Sequence, residues 1–310
     1  MRQPVTILVA TFNNARFLEE LLDSLVRQTY RELDIIVRDD GSSDTTRDII
    51  NRYCDIDRRI KTIDVKRETQ GSKNNFFTLL LSTDGEYTMF CDADDVWHTD
   101  KVEKTLALMK NTEKSLGNDI PILVHTDLAV TDESLNIISN SLFKYEKLSP
   151  KRCSFKNLLV QNNVTGCSVM INRPLKQMVR QIPKDAVMHD WWLALTAAAF
   201  GRIEVLYEPT LMYRQHQHNQ IGASDARDSK SMLRKLRRTD VMRTIYRSMY
   251  AQAACFAETF NDRLSNDIYA CAKKYAEMSD LSKARKIFRI IGRGYYKNTF
   301  IRNIGQLLVV

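Results

Sequence analysis

The sequence predicts an α/β protein with a doubly wound, mainly parallel sheet and a C-terminal helical extension. Two observations predict this class. In the N-terminal part, short apolar and β-branched runs alternate with segments whose apolar residues recur at helical spacing. In the C-terminal part, the chain continues as amphipathic segments rich in Lys and Arg. A length of 310 residues is enough for one large domain with an appendage.

The strands and helices of the N-terminal part can be placed one by one. Each strand candidate is an apolar run that ends in a polar turn, and each helix candidate has an apolar residue at every third or fourth position. The predicted strands are Val5–Ala10, Leu33–Val37, Ile60–Val65 and Tyr87–Cys91. The predicted helices are Ala15–Gln28, Thr46–Tyr53 and Gly71–Ser82. Strands that alternate with helices in this way form a parallel sheet.

Three carboxylates stand directly after the fourth predicted strand, at Asp92, Asp94 and Asp95. Burying neighbouring carboxylates is costly unless a cation neutralises them. Open α/β sheets also place their ligands at the carboxyl ends of strands. Oxygen ligands alone favour Mg²⁺ or Mn²⁺ over zinc. On spacing alone, an acidic turn that caps the next helix explains the cluster equally well.

Charge and cysteine content narrow the class of protein. The chain carries a net charge of +8, but the segment from Arg227 to the C-terminus has 18 Lys and Arg against 7 Asp and Glu, which leaves the remainder at −3. A basic tail can bind nucleic acid or an anionic membrane surface, and it can also have no partner. The six cysteines form no C-x-x-C pair, and no signal peptide or membrane-spanning run is recognised. These features predict a cytoplasmic protein with reduced thiols.

Four motifs follow one another between residues 11 and 95. They are Thr11-Phe12-Asn13, Gln28-Thr29-Tyr30, Asp39-Asp40-Gly41-Ser42-Ser43-Asp44 and Asp92-Ala93-Asp94-Asp95. In this order and at these separations they resemble a family-two glycosyltransferase, which implies the Rossmann-like, A-type nucleotide-sugar-binding fold. No G-x-G-x-x-G motif follows the first strand, which disfavours a dinucleotide-binding oxidoreductase. The lack of a glycine-rich loop there also disfavours a nucleotidyltransferase.

The resemblance assigns roles on the donor side. It implies that Asp94 and Asp95 hold Mn²⁺ or Mg²⁺ and the ribose, because a divalent ion steadies the diphosphate leaving group of a nucleotide-sugar. It also implies that Asp92 shapes the same donor-binding turn. Asp40 is expected to accept a hydrogen bond from the pyrimidine ring, and Thr11 to line the base pocket. The alternative for Asp40 is a turn that caps a helix.

An acidic residue opens the Ala-rich helix predicted to end at Phe200. In the family that this chain resembles, this residue is the general base of an inverting transfer, which takes the proton of the acceptor hydroxyl. Here it is Asp190. An N-cap is the alternative role, and the two are compatible. Trp191 and Trp192 are the acceptor-side candidates, one for the core and the other for stacking on a sugar ring, and the sequence does not distinguish them.

A second element resembles bacterial rhamnosyltransferase-like members of the family. It reads Tyr213-Arg214-Gln215-His216, followed by Asn219 and Gly222. The resemblance predicts that this segment folds over the donor, with Arg214 or His216 near the diphosphate. It implies transfer of L-rhamnose from dTDP-L-rhamnose to a polysaccharide or O-antigen chain, commonly linked to a lipid diphosphate. A UDP-hexose donor is the alternative.

The resemblance covers about residues 1–222, which are expected to form the catalytic domain. Residues 1–115 would bind the nucleotide-sugar, residues 116–222 the acceptor, and residues 223–310 would form a basic helical region. Residues 283–297 mix basic side chains with Phe, Ile and Tyr, a pattern typical of an interfacial segment on anionic lipid. We therefore expect a cytoplasmic protein that is peripheral on the inner face of the membrane.

Three alternatives to membrane contact remain open for the basic region. It could pack on the catalytic domain as a helical subdomain, or pack on a second subunit in a homodimer. A nucleic-acid-binding function is the alternative from another class. It is disfavoured because the region holds no recognisable motif of that kind.

Overall fold

The computed structural model describes residues 3–65, 70–216, 223 and 239–310. Within these residues the chain forms a nine-stranded sheet, helices between its strands and further helices in the C-terminal part, which confirms the predicted α/β class and the C-terminal helices. The strands are β1 Val5–Thr11, β2 Leu33–Asp39, β3 Ile60–Thr62, β4 Tyr87–Asp92, β5 Val96–Trp97, β6 Ile122–Thr131, β7 Ile137–Ser139, β8 Val169–Asn172 and β9 Arg202–Arg214. The helices are α1 Ala15–Val26, α2 Thr46–Ile56, α3 Ser72–Leu81, α4 Lys101–Leu116, α5 Leu142–Tyr145, α6 Phe155–Val160, α7 Arg173–Gln177, α8 His189–Phe200, α9 Thr239–Thr259, α10 Asn266–Ala276, α11 Lys283–Arg293 and α12 Phe300–Val309.

The sheet is parallel at one end and mixed at the other. Its order is β3-β2-β1-β4-β8-β6-β9-β5, with β7 paired to β6. The strands β1 to β4 are all parallel, as the strand–helix alternation predicts. Strand β8 runs antiparallel between β4 and β6, and β9 runs parallel to β6. The parallel order therefore holds for the N-terminal half of the sheet.

The central strands are buried because their sequences are apolar on both faces. Ile7, Leu8 and Val9 of β1 have no exposed surface, and α1 buries Leu18 and Leu21 on one side. Each such side chain contributes about 1.5–3 kcal/mol through removal from water. This rigid layer fixes where the loops after β1, β2 and β4 begin.

Three strand ends meet at one edge of the sheet. Thr11 at the end of β1 pairs with Asp39 of β2, and Ala10 pairs with Asp92 of β4. Strand β1 lies where the strand order reverses, with β2 on one side and β4 on the other. Open α/β sheets bind ligands at such a point. We call this the β1/β2/β4 edge.

The chain forms two compact units. The sheet unit contains Met1–Leu142, Val164–Ile182 and Gly201–Gly222, and the helical unit contains Phe143–Asn163, Pro183–Phe200 and Ala223–Val310. The boundary between the units is not a single position at residue 222. Two segments that precede it, Phe143–Asn163 and Pro183–Phe200, belong to the same unit as the C-terminal helices. Within the helical unit, Trp192 packs edge-on against Phe256, and Tyr250 packs against Tyr275.

Several element boundaries differ from the sequence-based expectation. The third strand ends at Thr62 instead of Val65, and Gly166–Ser168 forms a short 3₁₀ helix ahead of β8. The sequence-based predictions did not include β5, β7 or α12. The two strands have only 2 and 3 residues, which is too short to show a period, whereas the apolar residues of α12 do follow helical spacing and that helix was missed. Within the predicted basic helical region, helix α9 is described from Thr239 onward and runs to Thr259, and residues 224–238 lie outside the described residues.

Candidate functional site

Asp40 is held rigidly at the β1/β2/β4 edge. Its backbone N–H donates to the Thr11 carbonyl at 2.9 Å. Its carboxylate accepts from Arg38 Nη1 at 3.3 Å and from the Gly71 N–H at 2.7 Å. Gly71 has a φ of 104°, a conformation that glycine adopts readily. Asp40 is only 4% exposed, so these partners fix its orientation beside Thr11.

The neighbouring Asp39 shapes the turn. It accepts hydrogen bonds from the backbone N–H groups of Gly41 and Ser42 and from Arg47 Nε. Partial burial raises the pKa of Asp39, but the bonds from Ser42, Arg47 and Gly41 outweigh this effect and the pKa is lowered. Asp39 therefore holds the turn after β2, while Asp40 is tied to the buried Arg38 and to the backbone of a distant segment at Gly71.

An acidic cluster with one thiol follows β4. Ligand atoms of Asp92, Asp95 and Cys167 lie within 4.8 Å of one another. Burial raises the pKa of Asp95 well above its ordinary value, and the charges of Asp94 and Asp92 raise it further. Asp95 Oδ2 is buried without a hydrogen-bond partner among the described residues. A divalent cation would relieve this concentration of negative charge, and the carboxylate oxygens are ligands that Mg²⁺ and Mn²⁺ prefer. Burial raises the pKa of the Cys167 thiol well above its ordinary value, so Cys167 adjoins the carboxylates as a neutral thiol and is not counted among the ligands.

Asp94 lies beside His216, which belongs to the rhamnosyltransferase-like element. His216 Nε2 is 2.8 Å from Asp94 Oδ2, and the imidazole ring packs against Phe17 with the ring centroids 4.9 Å apart. Residues 94 and 216 are therefore brought together from distant parts of the sheet unit's sequence. His216 therefore lies next to the acidic cluster.

Arg214 is 2% exposed and clamps this region. Its Nε donates to the Asp94 carbonyl at 2.8 Å, and its Nη1 donates to the Glu133 carbonyl at 2.5 Å. It also pairs with the Glu20 carboxylate and lies over the Phe17 ring at 4.6 Å. With its donors engaged in this way, Arg214 holds the loop after β4 against β9.

A buried cation lies near the acidic cluster. Lys101 Nζ donates to Thr210 Oγ1 at 3.2 Å and lies 4.6 Å from the centroid of the Trp97 ring. Burial lowers the pKa of Lys101 to about 8, although the neighbouring Cys167, Cys91 and Asp95 side chains act in the opposite direction. Lys101 thus supplies part of the positive charge that the buried Asp95 carboxylate requires.

Asp190 lies in the first turn of α8, in the helical unit. Its Oδ1 accepts from the Trp191 N–H at 2.7 Å, and its Oδ2 accepts from Asn162 Nδ2 at 3.1 Å. The carboxylate is therefore oriented by one bond at the start of the helix and one from a neighbouring loop. The side chain is only partly buried, which is compatible with access by an acceptor.

The structure distinguishes the two tryptophans. Trp192 is 1% exposed and packs against Phe256 and Phe260 at centroid distances of 5.2 and 6.1 Å. Its surface is taken up by the core. Trp191 is partly buried, and its Nε1 donates to the Leu158 carbonyl at 2.6 Å. Trp191 is therefore the candidate for contact with a sugar.

Several residues of the site were missed by the sequence-based predictions. Gly71, Cys167 and Asn162 contact or adjoin predicted residues from distant segments and carry no motif of their own. Arg38 lies on β2 only two residues before Asp40, but a basic residue in an apolar strand gave no sign of this pairing. Asn219 and Gly222, which complete the rhamnosyltransferase-like element, lie outside the described residues.

Comparisons with known proteins agree with this geometry. A family model described as "Glycosyl transferase family 2" matches residues 6–178, more than half of the chain. The putative teichuronic acid biosynthesis glycosyltransferase TuaG of Bacillus subtilis is 27% identical, over 71% of this chain and 84% of that protein. The dTDP-rhamnosyl transferase RfbG of Shigella flexneri is 25% identical, over 70% and 74%. An Escherichia coli enzyme named UDP-Glc:alpha-D-GlcNAc-diphosphoundecaprenol beta-1,3-glucosyltransferase WfgD is 26% identical, over 55% and 61%.

Two solved structures share the fold. TarS 1-349 of S. aureus, in complex with UDP-GlcNAc, aligns with a TM-score of 0.55 at 15% identity, over 98% of this chain and 90% of that one. The mannosyltransferase PcManGT of Pyrobaculum calidifontis, in complex with GDP-Man and Mn²⁺, aligns with a TM-score of 0.51 at 19% identity, over 99% and 84%. At these identities the likeness concerns the fold.

Proposed function

Because the chain belongs to glycosyl transferase family 2 and is a glycosyltransferase that uses a nucleotide-sugar, we propose that it moves L-rhamnose from dTDP-L-rhamnose to a hydroxyl of a growing bacterial cell-surface polysaccharide, with inversion. The observation that carries the proposal is the β1/β2/β4 edge. There Thr11, Asp40 and the acidic cluster end neighbouring strands where the strand order reverses. A nucleotide diphosphate carries its base at one end and its charged phosphates at the other. The neighbouring strand ends of such an edge can bind both.

On the donor side, Asp40 accepts the N–H of the pyrimidine ring while Thr11 lines the base pocket. The fixed orientation of Asp40 supports this role, because a carboxylate held by Arg38 and the Gly71 N–H loses little freedom when it binds a base. Asp92 shapes the turn beside the diphosphate.

The residues that would hold a divalent ion are Asp94 and Asp95, with His216 beside them. Mn²⁺ or Mg²⁺ bound there would stabilise the negative charge of the departing diphosphate. The buried Oδ2 of Asp95, which has no hydrogen-bond partner among the described residues, and the Asp94–His216 contact support this assignment. Arg214 is a positioning residue in this proposal, because its contacts are with protein groups around Asp94.

On the acceptor side, Asp190 takes the proton of the attacking hydroxyl. The bonds from Asn162 and the Trp191 N–H support this role, since they hold the carboxylate in one orientation at the start of α8. Trp191 supplies an aromatic edge for the acceptor sugar.

The identity of donor and acceptor rests on the relatives. The name of RfbG states dTDP-rhamnosyl transfer, and the name of WfgD states a diphosphoundecaprenol acceptor. A lipid-linked glycan acceptor would bring this enzyme to the inner face of the cell membrane. The competing donor is a UDP-hexose, which the UDP-Glc of WfgD and the UDP-GlcNAc bound to TarS favour.

A thermal-shift screen of nucleotide-sugars tests the proposal. A ligand that binds only the folded state at 100 times its Kd stabilises it by about 2.7 kcal/mol. We expect dTDP-L-rhamnose with Mn²⁺ to raise Tm more than dTDP-glucose, UDP-glucose or UDP-GlcNAc, and the shift to shrink in EDTA. An equal shift with the Asp40→Asn variant would contradict the base pocket. A larger shift with a UDP-hexose would mean that the donor is a UDP-hexose. If no nucleotide-sugar shifts Tm, the proposed function is wrong.

A further inference from the structure

The last two helices of the helical unit leave large apolar side chains in solvent. Phe288 in α11 is 81% exposed and Phe300 in α12 is 77% exposed. Four more aliphatic residues on these helices are also exposed, namely Ile291, Ile301, Ile304 and Leu308. A contiguous apolar surface of this kind usually marks an interaction site.

The exposed residues form one stripe on each helix. Phe288 and Ile291 are three positions apart in α11, and Ile301, Ile304 and Leu308 follow helical spacing in α12. Lys283 Nζ at the start of α11 donates to the Leu308 carbonyl at the end of α12 at 2.6 Å, so these two helix ends lie next to each other.

The opposite sides of these two helices are anchored in the helical unit. Ile290, Gln306 and Val309 are buried, and Gln306 Nε2 donates to the Tyr295 carbonyl at 3.1 Å. The fold therefore orders both helices without covering their apolar stripes. We call the exposed surface the α11–α12 face.

The charge of this segment has one sign. From Leu281 to Val310 the chain holds seven Lys and Arg and no Asp or Glu. Arg289 pairs with Glu277 at 3.0 Å and Arg302 lies 3.8 Å from Glu146. Arg285 and Arg293 are exposed, and no ion pair is found for either of them within the described part of the chain. Arg285 and Arg293 therefore present exposed positive charge that an outside partner can meet.

We propose that the α11–α12 face docks on an anionic phospholipid bilayer, with both helices lying in the interface. The apolar stripes enter the boundary of the acyl chains and the Lys and Arg side chains meet the lipid phosphates. No helix within the described residues is long and apolar enough to cross a membrane, so the contact is peripheral. A second copy of the chain is a poorer occupant, because it would bring the same seven cations against this face.

The proposal is independent of the donor and acceptor proposed above. Lipid binding is therefore measured in EDTA and without nucleotide-sugar, so that its failure leaves the transfer reaction untouched. Truncation after residue 280 is a poor test, because it would remove the buried Ile290, Tyr295 and Val309. Point substitutions of exposed residues keep the fold.

Co-sedimentation with vesicles tests the apolar contribution. We expect at least about tenfold stronger partitioning to phosphatidylcholine vesicles containing phosphatidylglycerol than to phosphatidylcholine alone. The double variant Phe288→Ser/Phe300→Ser should lose about tenfold or more of that binding. The matched control is Ile56→Ser, an exposed apolar residue in α2, which should bind as the unsubstituted protein does. Equal binding of the double variant would overturn the proposal.

A pair of charge reversals tests the electrostatic contribution to lipid docking. Arg285→Glu/Arg293→Glu should lower partitioning about tenfold or more, whereas Lys114→Glu on α4 should not change it. A loss confined to the charge variants would describe a general polyanion site and overturn the membrane contact. Sedimentation velocity adds the remaining outcome: a dimer that dissociates on the Phe288→Ser/Phe300→Ser substitution would assign the face to a second copy.

Discussion

The β1/β2/β4 edge and the α11–α12 face both suit phosphate groups, yet they are built in opposite ways. At the edge, charged side chains are buried and engaged by protein groups: Arg38 pairs with the buried Asp40, and the buried Arg214 donates to the Asp94 carbonyl. On the face, cations such as Arg285 are exposed beside exposed Phe288. Buried, oriented charges select one ligand in one geometry. Exposed charges beside apolar groups recognise a surface and tolerate many arrangements. Substitutions at the edge should therefore change donor binding and the transfer reaction, and those on the face should change membrane binding.

The largest expected effect lies in the catalytic residues. We expect Asp190→Asn to lower kcat about 10²–10⁴-fold, because it removes the general base. One side-chain oxygen remains to accept the Trp191 N–H, so the start of α8 should stay intact. Steady-state kinetics with saturating donor measures the loss, and vesicle partitioning should not change. Asp185→Asn, an exposed acidic residue nearby, is the control, and an active Asp190→Asn variant would remove Asp190 from the mechanism.

The second prediction concerns the buried clamp at the edge. Arg214→Gln should lower the free energy of unfolding by about 1–3 kcal/mol, because it leaves the Asp94 and Glu133 carbonyls without their donor, whereas water solvates the exposed Glu20 carboxylate. Urea unfolding measures this change. The control is Arg16→Gln, an exposed partner of Glu133, for which we expect a change below about 1 kcal/mol. Similar values for both variants would mean that Arg214 does not organise the loop.

The third prediction is a loss of stability in acid. Burial lowers the pKa of His125 to about 4 and that of His189 to about 3, against an ordinary value of 6.5. Between these values the unfolded chain binds more protons than the folded one. Stability is therefore complete above about pH 6.5 and declines as the pH decreases, by about 2 kcal/mol for each histidine at pH 5. Urea unfolding at pH 7 and pH 5 measures this, and His189→Gln should reduce the difference. An unchanged difference would show that His189 does not titrate in this way.

The smallest effect is expected on the α11–α12 face. Arg285→Gln should change the free energy of unfolding by less than about 0.5 kcal/mol, because an exposed side chain without an ion pair among the described residues does not support the fold. Transfer to a water-soluble acceptor analogue should also stay the same. A loss of more than about 2 kcal/mol would mean that the face is part of the core and would weaken the contrast with the edge.

The sequence was most informative where chemistry is concentrated in short motifs. The strands that end at Thr11, Asp39 and Asp92 were predicted within two residues, and their motifs identified the family, because apolar runs and polar turns are local signals. The acceptor helix with Asp190 was predicted for the same reason. The compact units could not be predicted, since 143–163 and 183–200 join the C-terminal helices through long-range packing.

The partners of the site residues were also beyond sequence reasoning. Gly71 donates a backbone N–H to Asp40, which almost any residue type could do, and Cys167 reaches Asp95 from a distant 3₁₀ turn. Arg214 is a basic residue in a motif that resembles a donor-binding element, so the sequence predicted contact with the diphosphate. Its burial and its four protein partners support a positioning role instead.

Calorimetric titration of dTDP-L-rhamnose tests the central claim most directly. The claim is that the β1/β2/β4 edge binds a nucleotide diphosphate together with a divalent ion. In Mn²⁺ we expect Asp94→Asn to weaken donor binding at least about tenfold, or 1.4 kcal/mol, while Asp190→Asn binds like the unsubstituted protein. In EDTA the unsubstituted protein and Asp94→Asn should bind equally weakly. Donor binding that is equally tight with and without the ion, and unchanged in Asp94→Asn, would contradict the account.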